Sequence, residues 1–410
     1  MKRSAAPGAV VFGGTSSALG VARALGRRGI STILLARGNR LSVERVVAAT
    51  SRYPSAVLGW PSADDEVQAR YLFDVARKYG LRNWALIPTG DDDAAMLARN
   101  AETLSAAYRV VSSPWSAVEQ AYDKRLTYRL AAEVGVAHPW TFYPVDAGEV
   151  EQLECAFPVI LKPAVKRGYN RFTHAKAWRV ENRQQLLRQY REAWSLTDAA
   201  LIMVQELIPG GGEAQFSFAA LCRDGQVLAS VVARRTRQFP VDFGLNSTFV
   251  QTVEEPGVEI AARRLLAALR YSGPVEVEFK RDPRSGEFKV LDINPRLWAW
   301  HTLGARAGVD FSYLLWRLAQ GQPIAGCRGR SGVAWINPVG DACAGLAEMR
   351  RGRLRLRDYA RSLWGMPLEQ ATFALDDPLA GLVEAPLLGY LLAKPAGLDE
   401  RAWLRSHLKL

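Results

Sequence analysis

Short apolar runs alternate with helix-like stretches along the first part of the chain. Residues 9–12 are entirely apolar, and the glycine-containing turn that follows leads into a helix-like pattern that continues to Arg28. Further apolar runs predict strands at 32–36, 84–88 and 109–112. Strands that alternate with helices form parallel sheets. Residues 1–115 are therefore predicted to form an open parallel α/β domain.

After residue 115 the pattern becomes a mixture of helices and hairpins. Helices are predicted at 115–121, 123–134, 182–194 and 259–269, and strands at 157–163, 176–180, 201–207, 216–222 and 227–234. Asp224-Gly225 is a strong turn signal between the last two strands. We expect α+β subdomains at 116–200 and 201–325, followed by a C-terminal extension at 326–410.

The segment 275–296 carries the most chemical information. Two alternating strands joined by a turn with a glycine place Glu278, Asp292 and Asn294 on polar faces, because successive strand residues point to opposite sides. Three oxygen donors of this kind suit Mg²⁺. Arg296 follows two residues later as a cation for a phosphate or a carboxylate. The alternative is an ordinary hairpin with a solvated face.

Composition narrows the class of protein. The 410 residues are 49% hydrophobic and 23% charged, which is typical of a globular enzyme. No apolar run reaches the roughly 18 residues that a membrane span needs, so we expect a cytoplasmic protein. The four cysteines are widely spaced, which argues against a zinc site and a disulfide framework.

The net charge of +12 would attract nucleic acid, acidic lipid surfaces, or phosphorylated and carboxylate substrates. The basic residues are scattered, and no recognition motif with interleaved aromatic residues stands out. No nucleic acid partner is expected.

Two common nucleotide motifs are missing from the sequence. Gly13, Gly14 and Gly20 do not match the spacing G-x-G-x-x-G, and Ala36-Arg37-Gly38 offers no acidic residue to a ribose, which argues against NAD. No G-x-x-x-x-G-K-[ST] occurs, which excludes a P-loop. The helix that begins behind these glycines could still bind a carboxylate or phosphate.

Four motifs in a fixed order resemble the ATP-grasp superfamily, in which two α+β subdomains clamp ATP. They are Lys-Pro at 162–163, Gln-Glu-x-Ile-Pro-Gly at 205–210, Glu-Phe at 278–279 and Asp-x-Asn-Pro-Arg at 292–296. The resemblance covers residues 1 to about 325 and is to the carboxylate–amine ligase type in particular. No single motif is specific for this superfamily, but the series of four motifs in this order is.

The resemblance implies a role for each matching residue. Lys124 and Lys162 would contact ATP, with Lys162 bridging adenine and phosphate. The hinge Gln205-Glu206-Leu207-Ile208 would read the adenine edge through its backbone, and Glu213 would hold the ribose. Glu278, Asp292 and Asn294 would bind Mg²⁺, for which Mn²⁺ could substitute, and Arg296 would stabilise the transferred phosphoryl group.

The loop at 164–171 departs from the family pattern. It contains one glycine, whereas many ATP-grasp enzymes cover the phosphates with a glycine-rich loop. Basic side chains such as Lys166 and Arg167 could replace backbone N–H groups there, and Lys176 could reach in from the next strand.

The implied reaction joins a carboxylate to an amine at the expense of ATP. The carboxylate attacks the γ-phosphate to give an acylphosphate and ADP, and the amine then displaces phosphate to form an amide. The expected partners are therefore small-molecule carboxylates and amines, including an amino acid. The alternative is a non-catalytic nucleotide-binding scaffold protein of the same fold, and a homo-oligomer is left open.

For several other residues the sequence allows two interpretations. Arg235 or Arg237 is expected to bind the substrate carboxylate or the acylphosphate, against the alternative of a solvated basic turn. His301 follows two tryptophans and is expected to be packed. Asp91 and Asp92 are expected to cap a helix rather than face the ligand cleft.

The sequence of the C-terminal extension also allows two interpretations. A basic segment at 350–357 and an apolar stretch at 379–392 could form a peripheral membrane contact. Glu384 and Pro386 interrupt the apolar stretch, so we favour packing of the extension onto the ligase domains.

Overall fold

The structure is a computed structural model of the chain, and it describes residues 7–38, 43–165, 170–244, 246–384 and 386. The predicted phosphate-loop residues Lys166 and Arg167 lie outside the described residues, as does most of the apolar stretch 379–392 beyond residue 384. Among the helices that the structure describes, none is both long enough and apolar enough to cross a membrane.

The N-terminal part is a parallel five-stranded sheet in the order β3-β2-β1-β4-β5. Its strands are β1 Ala9–Phe12, β2 Thr32–Ala36, β3 Pro54–Gly59, β4 Trp84–Ile87 and β5 Tyr108–Val110. Its helices are α1 Ser16–Gly26, α2 Val43–Thr50, α3 Asp65–Tyr79, α4 Asp91–Arg99 and α5 Ala101–Leu104. The side chains of β1 and β2 are fully buried, because helices cover both faces of a parallel sheet. The α/β expectation for this region is confirmed.

A four-stranded antiparallel sheet follows, in the order β6-β9-β7-β8. Its strands are β6 Thr141–Phe142, β7 Val159–Pro163, β8 Trp178–Val180 and β9 Ile202–Glu206. The helices of this region are α6 Trp115–Tyr122, α7 Lys124–Glu133, α8 Ala147–Gln152, α9 Arg171–His174 and α10 Arg183–Trp194. Hydrogen bonding places β9 in this sheet, although it lies beyond the boundary drawn at residue 200.

The remaining strands form an eight-stranded sheet. Its main path runs β14-β13-β10-β11-β12-β16-β17, and β15 pairs with β11. Its strands are β10 Gln215–Arg223, β11 Gln226–Phe239, β12 Asn246–Thr252, β13 Gly273–Arg281, β14 Phe288–Asn294, β15 Cys327–Arg328, β16 Ala334–Ile336 and β17 Leu368–Gln370. The helices are α11 Pro256–Ala268, α12 Thr302–Arg306, α13 Phe311–Ala319, α14 Pro338–Arg350 and α15 Leu356–Ser362. The predicted turn between β10 and β11 is present, with positive φ at both Asp224 (50°) and Gly225 (79°).

The predicted extension adds strands to this sheet rather than standing apart from it. Strands β15, β16 and β17 all pair within the eight-stranded sheet. Beyond them, the buried Asp377 bonds to Arg23 of α1 and to Ser51. The described part of residues 326–384 therefore packs against the N-terminal part and against the eight-stranded sheet.

One apolar core joins the N-terminal sheet to the eight-stranded sheet. It contains Val11 and Leu25 from the N-terminal part together with Leu297, Trp298 and Trp300 from the segment after β14. The backbone N–H of Leu297 also donates to the carbonyl of Pro88, at 3.3 Å. The end of β14 is thereby held against the loop that leads into α4.

Candidate active site

The hairpin β13–β14 places four polar side chains on one face. Glu278 lies directly opposite Asp292, and Glu276 lies directly opposite Asn294. Residues that face each other across an antiparallel pair share a face, as do residues two apart along a strand. The amide of Asn294 donates to Glu278 at 2.9 Å and to Glu276 at 3.3 Å. Two carboxylates and one amide predicted as ligands are thus brought together, and Glu276 joins them.

Cations from other elements neutralise these carboxylates. Lys124, at the start of α7, lies 3.0 Å from Asp292, and Arg235 of β11 lies 3.2 Å from Glu278. Burial by itself would raise the pKa of Glu278, but Arg235, Lys176 and the Asn294 bond outweigh it and lower that pKa. Glu278 is therefore ionised at neutral pH.

Lys162 faces the same carboxylates from the four-stranded sheet. It lines a cavity together with Lys124, Lys176, Glu278 and Asp292. Burial and the neighbouring charge of Lys124 lower the pKa of Lys162 to about 7. Lys162 is half-buried and lies beside two other lysines, so a bound anion would favour its charged form.

The hinge residues line this cavity, and the polar side chains of the first two are bonded to neighbouring residues. The side chain of Gln205 is buried and donates to Tyr128 and Thr141. The carboxylate of Glu206 pairs with Lys289 and Arg284. Gln205, Glu206, Leu207 and Ile208 all appear along the cavity wall. Strand pairing with β6 and β7 ends at Glu206, so the backbone N–H groups of Leu207 and Ile208 lie beyond the paired part of the hinge.

Lys280 was not predicted, yet it fastens the hinge. Its ammonium group donates to the carbonyl of Ile208 at 2.8 Å and to that of Gly210 at 2.7 Å. It shares the face of Glu276 and Glu278, since the three residues are spaced by two along β13. That spacing was the available signal for both Glu276 and Lys280.

Arg296 is held by the N-terminal domain. Its Nε donates to Asp91 at 2.9 Å, and one terminal nitrogen donates to Oδ1 of the Asn294 side chain at 3.2 Å. The capping role expected for Asp91 and Asp92 is wrong, because Gly90 is the N-cap residue and the two aspartates are the first residues of the helix itself. Asp92 instead accepts from Tyr122.

The two candidate arginines of β11 have different surroundings. Arg235 lines the cavity beside Glu278. Arg237 forms two bonds of 2.8 Å with the buried Asp341 and another with Ser362. An irregularity in the pairing with β12 separates the two residues. The structure therefore brings Arg235 to the site and does not bring Arg237 there.

Three further predicted residues have clear positions. Lys176 lines the cavity and donates to the Gly244 carbonyl at 3.1 Å. Glu213 is exposed, accepts from the backbone of Gly211 and is absent from the cavity wall. His301 is packed as expected, and burial lowers its pKa to about 4.

Comparisons with known proteins agree with this geometry. Residues 243–326 match a family model described as the carbamoyl-phosphate synthase L chain, ATP binding domain. A D-aspartate ligase of Enterococcus faecium (strain Aus0004) is 25% identical over 228 residues, which are 52% of this chain and 53% of the relative. The chain thus spans about half the length of this curated relative.

Solved structures share the fold over most of the chain. The biotin carboxylase domain of Hydrogenobacter thermophilus 2-oxoglutarate carboxylase, in complex with MgADP, ADP and bicarbonate, has a TM-score of 0.61 at 18% identity and covers 79% of this chain and 72% of its own. An L-amino acid ligase from Bacillus licheniformis has a TM-score of 0.59 at 14% identity, covering 81% and 79% respectively. The resemblance predicted from the motifs is confirmed: this chain has the ATP-grasp fold, preceded by an α/β domain.

Proposed function

We propose that this chain is an ATP-dependent ligase that activates a carboxylate as an acylphosphate and joins it to an amine. The observation that carries the proposal is the cavity that Lys124, Lys162, Glu278 and Asp292 line together with the hinge residues 205–208. Lysines suit phosphates, and a backbone edge suits adenine. Such a set supports phosphoryl transfer from a nucleotide.

The donor set fits Mg²⁺. Glu278 and Asp292 provide carboxylate oxygens on adjacent strands, and Asn294 provides an amide oxygen on the same face. Hard oxygen donors from a few side chains, completed by phosphate oxygens and water, are the usual environment of Mg²⁺. Among the described residues no group of three His, Cys, Asp or Glu side chains could hold a metal ion, so the amide is needed as the third donor. When bound, the metal would neutralise charge on the phosphates of ATP.

The cavity must widen before a nucleotide can enter. Its volume is about 110 Å³, whereas sites for drug-sized molecules measure roughly 300–1,000 Å³. The contact between Lys176 and the Gly244 carbonyl joins the two walls of the cavity. A nucleotide phosphate would offer Lys176 a charged partner in place of that neutral carbonyl.

The proposed reaction needs positioning and charge stabilisation rather than a nucleophilic side chain. The substrate carboxylate attacks the γ-phosphate of ATP, forming an acylphosphate and breaking the bond to ADP. The amine then attacks the acyl carbon, phosphate leaves, and the amine loses a proton. Lys162 would bind the phosphates, while Arg296 and Arg235 would offset negative charge at the transferred group.

The names of the relatives support an amino acid as one substrate. One relative is a D-aspartate ligase and one structural neighbour is an L-amino acid ligase. The identity of the carboxylate and of the amine in this chain stays open. A cytoplasmic location and a homo-oligomer stay predictions, as does the use of Mn²⁺ in place of Mg²⁺.

The proposal is tested by following ADP and phosphate release with a panel of amino acids as carboxylates and amines, and by mass detection of the product. We expect release that requires a carboxylate and a divalent metal. Asp292→Ala should lower activity by at least the roughly 10–100-fold seen when partners of a metal site are lost. Asp224→Asn, in the exposed turn between β10 and β11, is the control and should keep full activity.

Full activity in Asp292→Ala would remove the metal assignment. The alternative, a nucleotide-binding scaffold protein, predicts saturable ATP binding with no ADP release for any substrate pair. The placement of Arg296 and Arg235 beside the carboxylates of β13 favours the catalytic proposal, because both cations could offset the charge of a phosphoryl group during its transfer.

A further inference from the structure

A second cavity is lined by residues of the N-terminal part and of the segments after β14. Its volume is about 480 Å³, which falls in the roughly 300–1,000 Å³ range of small-molecule sites. Its walls come from α1 and the two residues after it, from the segment 302–312, from Arg330 and from the segment 369–374. It shares no lining residue with the cavity that contains Lys162.

Arginines dominate the walls of this cavity. They are Arg23, Arg27, Arg28, Arg306 and Arg330, and we call the cavity the arginine pocket. A guanidinium carries five N–H donors in a fixed fork, so a single carboxylate partner does not use all of them.

Four carboxylates are paired with four of these arginines. The pairs are Arg23 with Asp377, Arg27 with Asp376, Arg28 with Asp310 and Arg306 with Glu369, all at 2.7 to 3.0 Å. The fifth, Arg330, donates to the backbone carbonyl of Arg306 at 3.1 Å and forms no ion pair with the described residues. The pocket therefore carries one positive charge more than its carboxylates balance.

Two hydroxyl groups in the walls also lack partners. Ser312, which is 1% exposed, and Thr302 both have a buried side-chain oxygen without a hydrogen-bond partner among the described residues. Buried hydroxyls are nearly always hydrogen-bonded, and one that is not calls for an explanation such as a bound ligand. A hydroxyl can rotate to donate to an oxyanion, which extends the donor set beyond the arginines.

We propose that the arginine pocket is a binding site for a small organic or inorganic oxyanion, carrying phosphate or carboxylate groups, and is separate from the nucleotide cleft. Arg330 supplies the unbalanced charge, and Ser312 and Thr302 supply neutral donors. Because the walls come from four places in the chain, a bound anion would hold α1, α12, Arg330 and the end of β17 together.

The test uses inorganic phosphate and citrate as separate probes on the full chain, with binding measured by calorimetry at about 0.15 M salt to screen weak surface attraction. We expect saturable binding of one probe per chain at the arginine pocket, counted apart from any binding in the nucleotide cleft. Arg330→Ala should weaken it by about tenfold, the usual scale for losing one charge-assisted bond. Ser312→Ala should weaken it by less without lowering the melting temperature, since it removes an unpartnered hydroxyl.

Two control variants separate the pocket from other anion sites. Lys162→Ala removes anion binding in the nucleotide cleft, and Arg350→Ala alters an exposed arginine outside both cavities; both variants should keep the probe bound at the arginine pocket. The probe that binds more tightly indicates whether the ligand carries phosphate or carboxylate. Failure of both probes to saturate, loss of binding in Lys162→Ala, or an equal effect of Arg330→Ala and Arg350→Ala would each overturn the site. These outcomes do not depend on whether the chain is a ligase.

Discussion

At the scale of single residues, the pKa of Lys162 is set by the groups around it. Burial and the charge of Lys124 bring its pKa down to about 7, although Asp292 and Glu278 act in the other direction. Below pH 7 the lysine is charged, and above it the neutral form prevails in the free protein. A nucleotide phosphate favours the charged form.

This pKa predicts a pH dependence of ADP binding. As pH rises from about 6 to about 8.5, the dissociation constant for metal-free ADP should increase, by up to about tenfold per pH unit above 7. The reason is that Lys162 must take up a proton when ADP binds. Lys162→Arg should remove this dependence, since a guanidinium stays charged. Titrations of both proteins across this range provide the measurement, and identical pH profiles would contradict the assignment.

The two arginines of β11 allow a matched pair of substitutions. Arg235→Lys keeps a charge near Glu278 but loses the guanidinium fork, so kcat should fall by about 100-fold or more, the scale of one lost transition-state donor. Arg237→Lys should keep kcat, while the loss of bonds to Asp341 lowers the free energy of unfolding by about 1–3 kcal/mol. Steady-state kinetics and urea unfolding of both variants separate the roles. The reverse pattern would place Arg237 at the site.

At the scale of elements, the hinge and the hairpin β13–β14 form one unit. Alternate residues of β13 carry out separate tasks on the same face: Glu276 and Glu278 bond to Asn294, and Lys280 bonds to the hinge carbonyls. The edge that would read adenine is therefore fastened to the strand that would bind the metal. The position of the hinge therefore depends on β13, through the bonds of Lys280.

Removal of this fastening should affect ATP binding more than chemistry. Lys280→Met frees the carbonyls of Ile208 and Gly210, so we expect KM for ATP to rise roughly tenfold with kcat nearly unchanged, as for an interaction that is equally strong in ground and transition states. Arg281→Met is the control, because Arg281 is the neighbouring exposed residue on the opposite face of β13. A fall in kcat without a change in KM would assign Lys280 to the chemical step.

At the scale of the whole molecule, the segment after β17 fastens the last described residues to the first domain. Asp377 is 2% exposed in its side chain and accepts bonds from Arg23, from the Ser51 hydroxyl and from the backbone of Arg52. Burial by itself would raise the pKa of Asp377, but these bonds outweigh it and lower that pKa. Asp376 beside it forms a more exposed pair with Arg27.

This contrast predicts unequal effects on stability. Asp377→Ala leaves the buried Arg23 unpaired and should lower the free energy of unfolding by about 3–5 kcal/mol, whereas Asp376→Ala should cost at most about 1 kcal/mol. The contribution of Asp377 is present above the ordinary pKa of an aspartate, about 3.9, and is lost as pH falls through its lower folded value. Urea unfolding at neutral and acidic pH tests both points. Equal effects of the two substitutions would show that burial does not decide the strength of these pairs.

Much of the active site could be predicted because its signals are local. Strand geometry alone predicts which side chains of β13 and β14 share a face. It also predicts that Asp292 and Asn294, two residues apart, lie on the same face. The order of the motifs also predicted that Lys124 and Lys162 would meet this hairpin. Glu276 and Lys280 obeyed the same alternation but were not singled out.

The sequence by itself determined the fold type, the polar face of the hairpin and the lysines that approach it. Only the tertiary structure decided that Arg235 rather than Arg237 lies at the cavity, because a pairing irregularity in β11 changes which way each side chain points. It also decided that Asp91 bonds to Arg296, 205 positions away, and that β9 joins the four-stranded sheet. Such contacts arise from packing between distant segments, and no local periodicity encodes them.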